Sequence, residues 1–316
     1  MTQQEVRIDF RPLNVVLAPG SKAHRGYAVA GGLDEGLLAP TFQPRPDLDL
    51  TNHRGRTIAD LTFVNCYLGG NAAWQRSDRG NIDQALDASM SDANLQGVIA
   101  QYYSGPISSR MLPSIVVDGA LHGKFFKDVA EQTTVKLAAD GALGDADPAN
   151  TVINMMLPKG IVLVDGNSDG SEARRAPGLP SGFEEDDEAA DSTQGLGGYH
   201  GSVHDGSKTV YYAVGVYSDG DNGIVAFDEP WKNVCATFYH ELNEARTDPD
   251  VEEVIRTGNM RLLGWYSRKG GEIGDIPMAL AGADLSRVMQ EITLVEGGTA
   301  PIQLMWSNRD HGPAAR

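Results

Sequence analysis

The chain has 316 residues, of which 41% are hydrophobic and 22% charged, and its net charge is −17. That size and balance suit one large globular domain or two small ones. The shortage of Lys and Arg argues against nucleic acid and anionic membrane surfaces as partners, and no run of about 18 apolar residues offers a membrane span.

The start, Met1-Thr2-Gln3-Gln4-Glu5, lacks the basic and apolar parts of a leader. As written, the chain is expected to be cytoplasmic, with export by another route or a removed leader left open. Two cysteines, Cys66 and Cys235, both fall among apolar neighbours and read as buried thiols. Oligomeric state is not written in the sequence.

Residues 1–57 read as an irregular, proline-rich arm carrying Pro12, Pro19, Pro40, Pro44 and Pro46. It holds one short alternating strand at 6–10 and two histidines, His24 and His53, expected at the surface. The main domain is expected over 58–316. Leu61 to Leu68 is a β-rich apolar run. Ile82, Leu86 and Met90 fit a helix. Val98 to Tyr103 reads as a second strand, and Gly119 to Ala139 as a second helix. The runs 151–158 and 161–164 add strands, so an α/β layered fold follows.

Residues 165–198 interrupt the pattern. The insertion opens Asp165-Gly166-Asn167-Ser168-Asp169-Gly170, half of a calcium loop, but Ala176 stands where the closing Glu belongs. It continues through the acidic run Glu184 to Glu188 and ends at Gly195-Leu196-Gly197-Gly198. A solvated acidic loop, or a lid, is the expectation. A strong strand follows over 209–217. Short helical, strand and glycine-rich segments fill 251–275, and 302–308 is expected to be the last strand.

Between them lies a helix expected over about 228–247, with Asp228 as N-cap and Pro230 in its first turn. Trp231, Val234, Cys235, Phe238, Leu242 and Ala245 form one apolar stripe. At roughly 100° per residue His240 and Glu244 lie about 40° apart on the face away from it. This is the geometry of an H-E-x-x-H zinc helix with Glu244 in the second ligand position and Glu241 placed as general base. The competing reading is an ordinary solvated polar face.

Four segments carry a wider likeness: Gly198-Tyr199-His200-Gly201, His240-Glu241-Leu242-Asn243-Glu244-Ala245-Arg246-Thr247-Asp248-Pro249, Gly264-Trp265-Tyr266 followed by Gly271-Glu272-Ile273-Gly274-Asp275, and Gln303-Leu304-Met305-Trp306-Ser307-Asn308. Together these resemble the bacterial branch of the EXORDIUM, or phosphate-induced protein, family. The likeness covers about 60–310 and is most specific in the C-terminal half. It implies a zincin-like α/β domain with a mixed sheet and a central active-site helix, and a metallopeptidase acting on a peptide or protein. The plant members are secreted, growth-related proteins, and the family name alone does not confer proteolysis.

A zinc site needs a third protein ligand. Beyond His240 and Glu244, the candidates are Glu272, Asp275, Asp248 and His200. Nitrogen from His200 favours zinc; an all-carboxylate set favours calcium. Each has a plainer reading as well. In it Asp248 bonds backbone amides at the helix end, Glu272 and Asp275 cap a turn or bind Arg246 or Arg261, and His200 is a loop histidine. Tyr199, Tyr239 and Tyr266 are open as oxyanion partners. Two functions follow: a zinc-dependent peptidase, or a non-catalytic binding or structural protein of the same fold that holds zinc or calcium. A Ser-His-Asp hydrolase lacks its G-x-S-x-G.

Overall fold

The computed structural model describes residues 15–23, 42–170, 190–206 and 208–316. The expected strand at 6–10, His24 and the acidic run 184–188 lie outside the described residues. Among those described, the fold is mixed α/β: a seven-stranded mixed sheet, six α-helices and several two-stranded pairs.

The sheet strands are β1 (Val15–Leu17), β2 (Asp60–Leu68), β3 (Ser108–Met111), β4 (Ile115–Val117), β5 (Thr151–Leu157), β6 (Leu196–Asp205) and β7 (Lys208–Val216). Their order is β1-β6-β7-β5-β2-β3, with β4 also paired to β2. β2, β5 and β7 run parallel in the middle, whereas β6 runs antiparallel to both β7 and β1. Buried on both faces, β2 and β5 are the near-continuous apolar runs that their sequence announced.

The helices are α1 (Arg76–Ser91), α2 (Ala93–Ala100), α3 (Lys127–Ala139), α4 (Pro230–Thr247), α5 (Val251–Thr257) and α6 (Asp275–Ala281). One core packs α1, α2 and α4 against one face of the sheet; a second core lies beneath α3 on the other face. Phe238, Leu242 and Val234 of α4 are fully or almost fully buried, and each contributes roughly 1.5–3 kcal/mol of apolar burial.

Three expectations need correction. Val98, Ile99 and Ala100 belong to helix α2 and not to a strand: the Asp92 carboxylate accepts from the amides of Asn94 and Leu95 and starts a helix there. The segment 302–308 is not one last strand. It breaks at Leu304 into Thr299–Gln303 and Met305–Ser307, and Gly312–Ala314 follows as the partner of the latter. The glycine-rich 195–201 segment is no hinge loop but the start of β6. Glycine sits at 198 because the neighbouring strand β7 and helix α4 both press close. A Cβ on Gly198 would lie 2.6 Å from the Val214 carbonyl oxygen and 3.2 Å from Glu241 Oε1.

The described part of the arm is built into the domain. Val16, Leu48 and Leu50 are buried, and Leu50–Asn52 pairs with Trp265–Ser267. His53 is half-buried against the Tyr266 carbonyl. The two cysteines are free and buried, and burial pushes the Cys66 thiol up to about 12. No described helix is long and apolar enough to cross a membrane.

Candidate metal centre

Helix α4 begins one residue later than its sequence suggests, with Glu229 at the N-cap and Pro230 at the first turn. Its polar face is not solvated. Every residue from Asn233 to Thr247 is buried. The Gly271–Asp275 loop and the Thr299–Gln303 strand cover the side that carries His240 and Glu244, so the amphipathic pattern marks two different kinds of interior.

Four segments meet over this helix. His240, Glu241, Glu244 and Asp248 come from α4 and its C-cap, His200 from β6, Glu272 and Asp275 from the loop entering α6, and Gln303 from the C-terminal strand. His200, His240, Glu241, Glu244, Asp248 and Glu272 are all 0% exposed, and the Asp275 side chain keeps 18%. Close approach again relies on glycine: a Cβ on Gly274 would lie 2.5 Å from His240 Nδ1 and 2.9 Å from Glu244 Oε1.

The hydrogen bonds fix the orientation of each imidazole. The Gln303 amide nitrogen donates to the Gly274 carbonyl at 2.6 Å, so its Oε1, 2.8 Å from His240 Nδ1, must accept. His240 therefore donates through Nδ1 and turns Nε2 towards Glu244 Oε2, 2.9 Å away, and Asp275 Oδ1, 3.9 Å away. Neither His240 Nε2 nor Glu244 Oε2 is in a hydrogen bond. The other Glu244 oxygen is anchored by the amides of Gly274 and Asp275, each at 3.1 Å. His200 places Nε2 3.3 Å from the Asp248 carbonyl, where it can only donate. Its Nδ1 then faces Glu241 Oε2 at 3.2 Å and Glu244 Oε2 at 3.7 Å.

Two groups of ligand atoms lie within 4.8 Å of one another: His240, Glu244 and Asp275, and His200, Glu241 and Glu244. Asp248 and Glu272 fall outside both. Asp248 Oδ1 accepts from the Gly264 amide at 2.7 Å, the helix-end role that its position suggested. Glu272 Oε1 is 3.7 Å from His200 Nε2, and neither Glu272 oxygen has a hydrogen-bond donor. Asp275 accepts from the Glu272 amide, as a turn cap would. Arg246 turns away to the carbonyls of Ala59 and Ser108. Tyr199 points to the opposite face of the sheet, into the second core.

Electrostatics follow from burial. Desolvation raises Glu241, opposed by its bond to His200. It pushes Asp248 up to about 8, and it raises Glu272 and Asp275 well above the ordinary carboxylate range, with the Glu244 charge adding to both. For His240 burial works downward, but the charges of Glu244, Glu241 and Asp275 outweigh it and hold the imidazole up at about 10. The same contest raises His200, through Glu241. No described Lys or Arg forms an ion pair with any of the five carboxylates.

These residues fit a divalent cation. His240 turns Nε2 towards Glu244 Oε2, with the Gln303 amide fixing its ring from behind, while His200 Nδ1 is hydrogen-bonded with Glu241 Oε2. The half calcium loop at 165–170 is otherwise engaged: Asp165 Oδ1 is 2.6 Å from Lys127 Nζ, and Asp128 takes the Ser168 amide and hydroxyl.

Gln303 was missed as a functional candidate, although it opens a quoted motif. Glutamine next to an apolar run carries no signal of its own; only its spatial neighbour His240 reveals it. Comparison with protein-family models, curated proteins and solved structures finds no match.

Proposed function

We propose that the chain is a zinc-dependent hydrolase of amide bonds, zincin-like and of the EXORDIUM-related kind. His240, Glu244 and Asp275 would hold the cation, with Glu241 as general base. The observation that carries this is the facing pair His240 Nε2 and Glu244 Oε2, 2.9 Å apart and fully buried beside Asp275. A bound divalent ion would polarise the scissile carbonyl and acidify a water. Glu241 takes the proton and returns it to the leaving amine. Its Oε1 has no donor, and burial raises its proton affinity. His200 holds the other Glu241 oxygen and so aims the carboxylate. Substrate approaches from the side of Asp275, where the centre keeps its exposure.

The complete burial of the remaining six residues supports a second reading, a non-catalytic protein in which the cation braces the fold. One experiment separates the two. Under the first, purified protein holds zinc, and Glu241→Gln keeps the metal while cleavage of a general protein substrate falls by about 10²–10⁴-fold. Zinc binding without cleavage by the wild type favours the second reading. Wild type that binds no zinc removes the first reading, and wild type that binds neither zinc nor calcium removes both.

A further inference from the structure

The described end of the N-terminal arm lies beside the metal centre. Without Val15–Leu17, β6 would be the edge of the sheet among the described residues, and β6 carries His200. β1 covers only the first part of that edge, with Val15 opposite Tyr199, Val16 opposite Gly198 and Leu17 opposite Leu196. A Cβ on Gly198 would meet Glu241 Oε1 at 3.2 Å, so Val16 is paired with a residue packed against the proposed base. β1 also packs against α4 and against α6, which starts at Asp275, the centre residue that keeps exposure.

Several features mark β1 as an occupant of this edge. It is three residues long. Its register with β6 shifts between Val16 and Leu17. A turn at Pro19-Gly20 ends it at once, with the Ser21 amide donating to the Ala18 carbonyl at 3.0 Å. β6 makes room for the arm with glycine: a Cβ on Gly195 would lie 2.5 Å from Ser21 Oγ, and one on Gly197 3.2 Å from Val16 Cγ1. An added strand gains affinity from backbone pairing, whatever its sequence, and specificity from its alternate side chains. Here Val16 enters the core that holds α4, while Val15 and Leu17 enter the core on the other face.

We propose that β1 is a built-in inhibitor: it fills the stretch of β6 edge, beside Glu241, with which an extended peptide substrate must pair. This rests on the hydrolase reading above. Arm and substrate compete for one edge, and a segment carried by the same chain competes at an effective concentration on the order of mM. An edge open for about a tenth of the time weakens substrate binding about tenfold. Once the arm leaves, the edge takes an extended peptide with a β-branched apolar residue in the place of Val16, whose side chain is fully buried.

The test compares the zinc-loaded full chain with Val16→Asp in the full chain and with a variant lacking residues 1–23. Elemental analysis and thermal melting establish that each is loaded and folded. A fluorescent peptide of residues 13–21 should bind the deletion variant about tenfold more tightly than it binds the full chain. Both variants should cleave a general protein substrate with a KM about tenfold lower and kcat unchanged. The added peptide should return the deletion variant to the slower rate, and the same peptide with V16D should not. Folded, zinc-loaded variants that neither bind the peptide nor cleave faster than the full chain overturn the inhibitor and leave the hydrolase reading intact. Loss of cooperative melting in both variants also overturns it, since β1 is then a strand that the fold requires. No cleavage by any of the three, with zinc bound, defeats the hydrolase reading itself.

Discussion

Tyr199 and His200 are neighbours in β6, yet they face two buried charge clusters of opposite character. On the Tyr199 side, Lys127 Nζ lies 2.6 Å from Asp165 and 2.9 Å from Glu252, and 5.2 Å from the centre of the Tyr199 ring. Burial works against the charged lysine, but its two carboxylates hold it protonated. That cluster brings its own cation. On the His200 side five carboxylates gather with two imidazoles and no described Lys or Arg. The first arrangement is complete as a piece of protein. The second has no such cation among the described residues, and this difference separates an ion pair that shapes the fold from a cluster that could hold a metal ion.

The contrast can be attacked from either side. The largest effect is expected for Lys127→Met, which strands Asp165 and Glu252 without their cation. Urea unfolding should show a loss of about 3–5 kcal/mol, and a loss below about 1 kcal/mol would mean that the pair is not the self-sufficient one described. Next comes Gly274→Ala, whose methyl would meet His240 Nδ1 at 2.5 Å. Thermal unfolding should reveal roughly 1–3 kcal/mol of overpacking, together with weaker zinc retention. Gln303→Leu should leave folding nearly intact but cost about 10–100-fold in zinc affinity, read by competition with a chromophoric chelator. An unchanged affinity would show that the His240 ring needs no brace.

Per unit of pH the change is gradual. In metal-stripped protein Asp248 is held at about 8 against an ordinary 3.8, so the folded state binds its proton more tightly than the unfolded one. Stability from that proton is present at low pH and declines as pH rises through 3.8 towards 8. His240, up at about 10 against 6.5, extends the decline as pH climbs between those two values. The slope is at most about 1.4 kcal/mol per pH unit for each proton. Zinc-loaded protein should show the opposite trend below neutrality, since protons compete with the metal. Identical melting curves with and without zinc across that range would argue against any cation at this centre.

How far the sequence led differs by element. The central strands and α4 were legible because apolar runs and a helical stripe carry their own periodicity. β6 was not, since Leu196-Gly197-Gly198-Tyr199-His200-Gly201 has the composition of a loop. Its glycines answer to neighbours packed against them from other segments, a constraint that no local pattern reports. Val98 to Ala100 has strand-like residues inside a helix because Asp92 caps it. Within the site, the spacing of His240, Glu241 and Glu244 was enough to align them. The direction in which Glu241 leans, towards His200, and the role of Gln303 depend on partners 41 and 63 residues away. The burial of the polar face was equally hidden, since an amphipathic stripe does not say what covers its other side.

Glu244 Oε1 takes its two amides from Gly274 and Asp275, thirty residues downstream, and His240 waits on Gln303, sixty-three downstream. The pocket therefore has no existence in a partly made chain. Gln303 must be made and docked before the His240 imidazole acquires its fixed orientation. Metal capture would then serve as a clock for maturation: tight binding should switch on at the final step of folding, and C-terminal truncations ending before Gln303 should leave a chain that holds zinc only loosely.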